Sequence, residues 1–352
     1  MNVVIVGFGG MGHWHSVRIK EYANSKVGKP LVVTGIYDIN PERQKLGKEE
    51  GYKVYTCPEE IWADKSVDVV LIATPNDLHI SYLKDAVKAK KHVICEKPVA
   101  LNSSETIEMY DCAEKEGVVF EVHQNRRWDE DYLTVKNIVE NKLIGDVYMI
   151  ESRVMGCNGI PGAWRREIKH GGGMMYDWGV HLIDQMFNML PQEVSSVYSE
   201  YSYIYGEEVE DGFALTATYA NGMKYRIVVA TDCFRNLPRW QVYGTEGTAT
   251  INSWAIDGGI TKIIRGEENK VQGIKAGNGL TKTMAPRSNN SKIESELDIV
   301  RAKPYEFYRN FVEACLGNEE QYIKRNEVVR VFKFMEACNE SNKLNEVIKG
   351  NL

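Results

Sequence analysis

The stretch Val3-Val4-Ile5-Val6-Gly7-Phe8-Gly9-Gly10-Met11-Gly12 decides the fold of the first half of the chain. Four consecutive apolar residues read as a strand buried on both faces. A helical segment, residues 11–23, follows with no linker. Between the two, Gly7, Gly9 and Gly12 fit the pattern G-x-G-x-x-G. The first glycine permits the tight turn, the second lets backbone approach a pyrophosphate, and the third allows close packing of helix on strand. The helix N-terminus then offers unpaired N–H groups and partial positive charge to phosphate. The whole loop, with Phe8, Gly10 and Met11 between the pattern glycines, is the expected contact.

Working outward, a second strand at residues 31–37 ends at Asp38, 26 residues beyond Gly12. A carboxylate there accepts hydrogen bonds from the ribose hydroxyls of a dinucleotide and repels a 2′-phosphate. Strand, loop, helix and acid in this order predict a Rossmann domain that binds NAD rather than NADP. The alternation continues through residue 124. Helices are expected at 41–50, 78–90 and Ser103–Glu116, the last capped by Asn102 or Ser103 and stopped by Gly117. Strands are expected at 52–55, 67–73, His92–Cys95 and 118–122. Apolar runs joined by helical crossovers describe a doubly wound parallel α/β sheet.

After residue 124 the rhythm changes. Helices are read at 129–141 and 174–190, with a strand at 147–154 between them. Strands then succeed one another at 194–204, 212–219, 224–230, 239–243 and 248–252. Asn221-Gly222 is a hairpin signal between two of them. The reading is a second domain, residues 125–352, of α+β class with an open, mainly antiparallel sheet. The polar stretch 273–298 reads as a long surface loop, a lid or an oligomer contact. Two helices, at 305–316 and 326–342, close the chain.

The 352 residues fit two domains. The net charge of −6, from 43 basic and 49 acidic residues, comes without a basic stripe and speaks against nucleic acid as partner. No apolar run approaches the roughly 18 residues of a membrane span, and the first residues lack a signal-peptide pattern, so a cytoplasmic location is expected. Seven scattered cysteines without a C-x-x-C pair read as buried reduced thiols.

Three further segments carry chemistry. Cys95-Glu96-Lys97-Pro98 follows a strand of the parallel sheet, where ligands sit beyond carboxyl ends. Lys97 there would hold a substrate oxygen, or would be a solvated lysine before a turn. Thr74, Pro75, Asn76 and His79 follow the preceding strand, beneath the expected ribose; His79 alternatively caps its own helix. In Gly171-Gly172-Gly173-Met174-Met175-Tyr176-Asp177-Trp178-Gly179-Val180-His181, a triple glycine opens a helix. Asp177, His181 and Asp184 fall at i, i+4 and i+7, on one helical face. His181 suits a general base and Asp177 its orienting partner. The set lacks a second histidine at ligand spacing, so no metal is expected.

Taken together, these segments resemble the glucose–fructose oxidoreductase, inositol dehydrogenase and MocA family, with matching order along nearly the whole chain. The resemblance implies a Rossmann domain followed by an open sheet, a Lys97–Pro98 peptide that is often cis, and Lys97, Asp177 and His181 as the catalytic set. It also implies that the segments Asn125-Arg126-Arg127-Trp128 and Ala163-Trp164-Arg165-Arg166 line the site, through Arg127, Trp128, Trp164 and Arg165, with Trp164 and Arg165 at the cofactor as well and Glu96 beside them. The expected reaction is hydride transfer between a secondary hydroxyl of a sugar, glycoside or inositol and NAD, in a homodimer or homotetramer. Two other readings stay open at this point: glycoside processing through a 3-keto-sugar with retained NAD, and an NAD-binding regulator without activity.

Overall fold

The computed structural model describes residues 1–267 and 271–352. The first half alternates β1 (Asn2–Val6), α1 (Gly10–Ser25), β2 (Val32–Tyr37), α2 (Pro41–Glu49), β3 (Lys53–Val54), α3 (Pro58–Ala63), β4 (Val69–Ile72), α4 (His79–Lys88), β5 (His92–Cys95), α5 (Ser103–Glu116) and β6 (Phe120–Val122). The strands pair in parallel in the order β3-β2-β1-β4-β5-β6. The order reverses beside β1, which opens a ligand crevice at the carboxyl ends of β1 and β4. Val3 to Val6 and Val69 to Ile72 are fully buried, as strands covered on both faces must be. Local chemistry sets the helix ends. Asn40 accepts from the Glu42 N–H ahead of Pro41, and Asn102 accepts from the Glu105 N–H. Gly117 ends α5 in the left-handed conformation.

The second half contains α6 (Glu130–Glu140), β7 (Val147–Met155), α7 (Val180–Met189), β8 (Val194–Ser202), β9 (Gly212–Tyr219), β10 (Lys224–Ala230), β11 (Trp240–Gly244), β12 (Gly247–Ile251), β13 (Gly258–Ile263), β14 (Ile274–Ala276), β15 (Gly279–Thr281), β16 (Lys292–Ser295), α8 (Glu306–Cys315), α9 (Arg325–Leu344) and β17 (Ile348–Lys349). Nine strands form one sheet in the order β16-β13-β12-β11-β7-β10-β9-β8-β17. Its pairings are antiparallel except β7 with β10. β9 and β10 alternate buried and partly exposed residues. Leu215, Ala217, Tyr225 and Ile227 thus face a core shared with α6, α7 and α9. α8 turns back: Phe307, Tyr308, Phe311 and Val312 join the core of the parallel sheet.

Three expectations change. Residues 273–298 are not a bare loop: β14 and β15 form a hairpin, and β16 adds an edge strand to the large sheet. These strands are three or four residues long and mostly exposed, so they carry no apolar alternation to read. The helix expected at 174–190 is divided: Met175–Gly179 is a π-helical turn and α7 follows it. All seven cysteines are free, but only Cys95 and Cys338 are buried, and Cys157 is exposed. Among the described residues, no helix is long and apolar enough to cross a membrane.

Candidate active site

The glycine loop has room for phosphate. Gly7 sits at φ +92°, and a Cβ there would lie 2.6 Å from the Ala73 carbonyl oxygen. At Gly9 and Gly10 a Cβ would meet nothing within 4 Å, so the backbone faces open space. No side chain caps α1 and no acid lies in its first turn, which leaves its N–H groups for an anion. Asp38 ties the second strand to this loop: Oδ2 accepts from the Phe8 N–H at 2.6 Å and Oδ1 from the Asn40 N–H at 2.8 Å. A carboxylate has about four lone-pair sites, so acceptor capacity remains for ribose hydroxyls. Phe8 contributes backbone only; its ring is buried in the core. These groups fit a dinucleotide.

Lys97 leaves β5 through a cis peptide to Pro98. Its Nζ donates to the Asp177 carbonyl at 3.0 Å and to Asp177 Oδ1 at 3.2 Å. Arg165 Nε donates to Asp177 Oδ2 at 2.8 Å, and its guanidinium lies 4.8 Å over the Trp164 ring. Burial pushes the Asp177 carboxyl up, but the Lys97 and Arg165 charges outweigh it and hold it below the usual range. Burial also lowers Lys97, more than Asp177 and Glu96 raise it. His181 is buried one turn away, and desolvation, with the charges of Lys97 and Arg126, lowers it well below its ordinary value. Its Nδ1 has no hydrogen-bond partner. The result is a neutral imidazole, a partly destabilised ammonium and a fixed carboxylate in one place.

Beneath Lys97 lies a buried polar chain that sequence reasoning missed. Glu96 Oε1 accepts from His15 Nε2 and from His123 Nδ1, each at 2.7 Å. His15 Nδ1 accepts from the Tyr308 hydroxyl at 2.8 Å. Burial works against the Glu96 charge, yet the two imidazoles hold its carboxyl well below the usual range. Glu96 Oε2 accepts from the Lys97 N–H at 3.2 Å. Glu96 therefore positions Lys97 from below. The three ligand-type side chains lie close together, but at 2.7 Å their contacts are charge-assisted hydrogen bonds.

Other expected site residues are placed differently. His79 is fully buried, with Nε2 toward the Thr74 carbonyl and Nδ1 toward the Val99 carbonyl, so its ring braces the loop and is closed to a cofactor. Asn76 Nδ2 donates to the His170 carbonyl at 2.7 Å, which joins the loop of Thr74 and Pro75 to the triple-glycine segment. Arg127 is bidentate on Asp184 at 2.8 and 2.6 Å and also reaches Glu327 at 2.8 Å. Trp128 packs edge-on against Phe307. Arg127 and Trp128 thus join packing units instead of lining the reacting cluster. Asp184 leaves the supposed polar stripe for the same reason: a buried carboxylate requires a cation. Arg126, from the 125–128 segment expected at the site, and Trp178, which sequence reasoning did not single out, stack at 4.2 Å beside His181.

The buried histidines make stability acid-sensitive. Burial lowers His15 from 6.5 to about 4, and lowers His79 and His181 as well. Below about pH 6.5 the unfolded chain takes up protons that the folded chain refuses, so stability present above that pH is lost as pH falls toward the folded values. We expect Tm at pH 5 to lie at least about 5 °C below Tm at pH 7.5 by calorimetry. An unchanged Tm would mean that these rings are protonated in the fold.

Residues 1–124 match the model of the GFO_IDH_MocA oxidoreductase family with NAD-binding Rossmann fold, and residues 132–250 match the GFO/IDH/MocA C-terminal domain. The solved NAD-binding protein from Listeria innocua is 42% identical, with 99% of each chain covered and a TM-score of 0.94. An oxidoreductase of Schizosaccharomyces pombe is 37% identical over 50% of this chain and 49% of its own. The chain spans about half the length of the fission-yeast relatives it matches. The scyllo-inositol 2-dehydrogenase (NADP(+)) of Bacillus subtilis is 26% identical over 81% of this chain and 79% of its own. A parallel sheet with a dinucleotide loop, an open mainly antiparallel sheet and both family domains in order make this chain a member of the GFO/IDH/MocA family of NAD-binding oxidoreductases.

Proposed function

We propose that the protein oxidises a secondary hydroxyl of a sugar, glycoside or inositol, with NAD as the acceptor. The observation that carries this reading is the convergence of Lys97, Asp177 and the unpartnered His181 beside the crevice. An ammonium has three donors, and Lys97 spends two of them on Asp177. The third holds the substrate oxygen and stabilises negative charge as it develops. His181, kept neutral by burial, takes the hydroxyl proton. Asp177, pinned by Arg165, fixes Lys97 and orients neighbouring hydroxyls. NAD, when bound, supplies the acceptor carbon for the departing hydride. Trp164, stacked on Arg165, walls the site. The wild-type protein works in the cytoplasm as a homo-oligomer on this reading.

The test is reduced-cofactor absorbance with NAD and NADP in parallel, over inositols, aldoses and glycosides. NADH formation with one of these classes is expected. Asp38→Ser removes the charge that repels a 2′-phosphate and leaves one hydroxyl oxygen where two carboxylate oxygens accepted from the Phe8 and Asn40 N–H groups. It should lower the NAD/NADP ratio of kcat/KM by about 10- to 100-fold, of the order expected for one charge contact. Wild-type activity with NADP alone would sink the role given to Asp38.

A further inference from the structure

A cavity of about 390 Å³ adjoins the reacting cluster at the carboxyl ends of β7 and β10. Its walls include Arg126, Trp178 and Trp254, with Met174, Gly156 and Thr231. Lys97, Asp177 and His181 do not line it, but Trp178 connects the two spaces: its ring centroid lies 6.2 Å from that of His181. Trp178 and Trp254 are 5.9 Å apart at 41°. The Arg126 guanidinium lies 4.2 Å over Trp178 and 5.6 Å over Trp254, and Arg239 braces Trp254 at 4.5 Å. Two tryptophans are thus held in place by cations outside the reacting cluster.

The chemistry of the walls selects the occupant. Trp254 is half-exposed although its orientation is fixed, as an aromatic platform is before its ligand arrives. The electron-rich faces of the two indoles attract the weakly positive C–H face of a pyranose or the edge of an aryl ring. Arg126 Nε is buried without a partner, a donor aimed at no protein acceptor. Its Nη1 donates to Asp129 at 2.9 Å, and that carboxylate offsets part of its charge. No carboxylate lines the cavity among the described residues. The volume falls within the roughly 300–1,000 Å³ of small-molecule sites and exceeds the need of a methyl aglycone.

We propose that this cavity is a subsite for a second ring. The substrate is a glycoside: its reacting sugar lies at Lys97 and His181, and a second six-membered ring, sugar or aryl, lies against Trp178 and Trp254. This rests on the oxidation reading above. A free monosaccharide or inositol leaves the subsite empty and forgoes its binding.

The test compares kcat/KM for NAD reduction by the full-length protein with glucose, methyl glucoside and myo-inositol against phenyl glucosides and glucose disaccharides. Two-ring substrates are expected to be better by about tenfold or more, the discrimination one apolar contact region supplies. Two variants examine the subsite. Trp254→Ala removes the platform. Gly156→Leu fills the cavity at a position where a Cβ meets nothing within 4 Å. Both should bring the ratio of two-ring to one-ring kcat/KM to about one. Preference for aryl over disaccharide partners, or the reverse, identifies the second ring. A wild-type ratio near one, or a ratio that survives both variants, overturns the subsite while leaving sugar oxidation standing. Absence of NADH with every substrate removes the oxidation reading and the subsite with it.

Discussion

Replacing Lys97 by alanine is expected to lower kcat about 10²–10³-fold or more, with the NAD dissociation constant changed less than about threefold. The reason is the donor count. Asp177 takes two of the lysine's N–H groups, so the third is directed and cannot turn to solvent without breaking that anchor. Removing it withdraws stabilisation from the oxygen where charge develops. Lys97→Arg should not restore the rate, because a planar fork already engaged by Asp177 cannot present one donor from the same point. His181→Ala should lower kcat by about 10²–10⁴-fold, the usual worth of a positioned base. The two effects separate by pH. Hydroxide replaces a lost base, so the His181 variant should recover activity as pH rises, and the Lys97 variant should not. Stopped-flow absorbance with titration of NAD by calorimetry reads all of this. A Lys97 variant that keeps more than a tenth of the wild-type kcat would remove Lys97 from the chemistry.

Gly12→Ala should weaken NAD binding at least about 100-fold, with a lower Tm. An added Cβ would lie 1.9 Å from the Gly7 carbonyl oxygen and 3.2 Å from Ile5 Cγ2. The first obstacle is backbone and the second is a fully buried β-branched side chain, so neither yields by a simple side-chain rotation. α1 must therefore retreat from β1, and its N-terminal N–H groups retreat from the phosphates. Overpacking of this kind costs about 1–3 kcal/mol or more, and 2.7 kcal/mol is the hundredfold quoted. Gly9→Ala is the useful comparison. Its Cβ meets no protein atom within 4 Å, so the fold should keep its Tm while the pyrophosphate loses close approach to the backbone. Calorimetric Tm and NAD titration on both variants distinguish a packing glycine from a ligand-approach glycine. Equal Tm losses in the two would refute that division.

The sequence by itself determined what rests on neighbouring residues. β1, the glycine loop, α1 and Asp38 are local: an apolar run, a spacing and a strand end are each complete within a few residues. Asn221-Gly222 and the caps at Asn40 and Asn102 are legible for the same reason. The residue types at Lys97, Asp177 and His181 were readable from their motifs, but their meeting was not. Only the tertiary structure decided which buried charges pair. Glu96 meets His15 across 81 residues and His123 across 27, and Asp184 meets Arg127 across 57. Helical spacing alone placed Asp184 with Asp177 and His181, but the demand of a buried carboxylate for a cation pairs it with Arg127. His79 likewise turned inward, where its ring sits between the Thr74 and Val99 carbonyls and its one N–H, in the neutral form, serves one of them. Sequence period gives the face on which a side chain starts; the desolvation of each polar group, settled only when elements pack, decides where it ends.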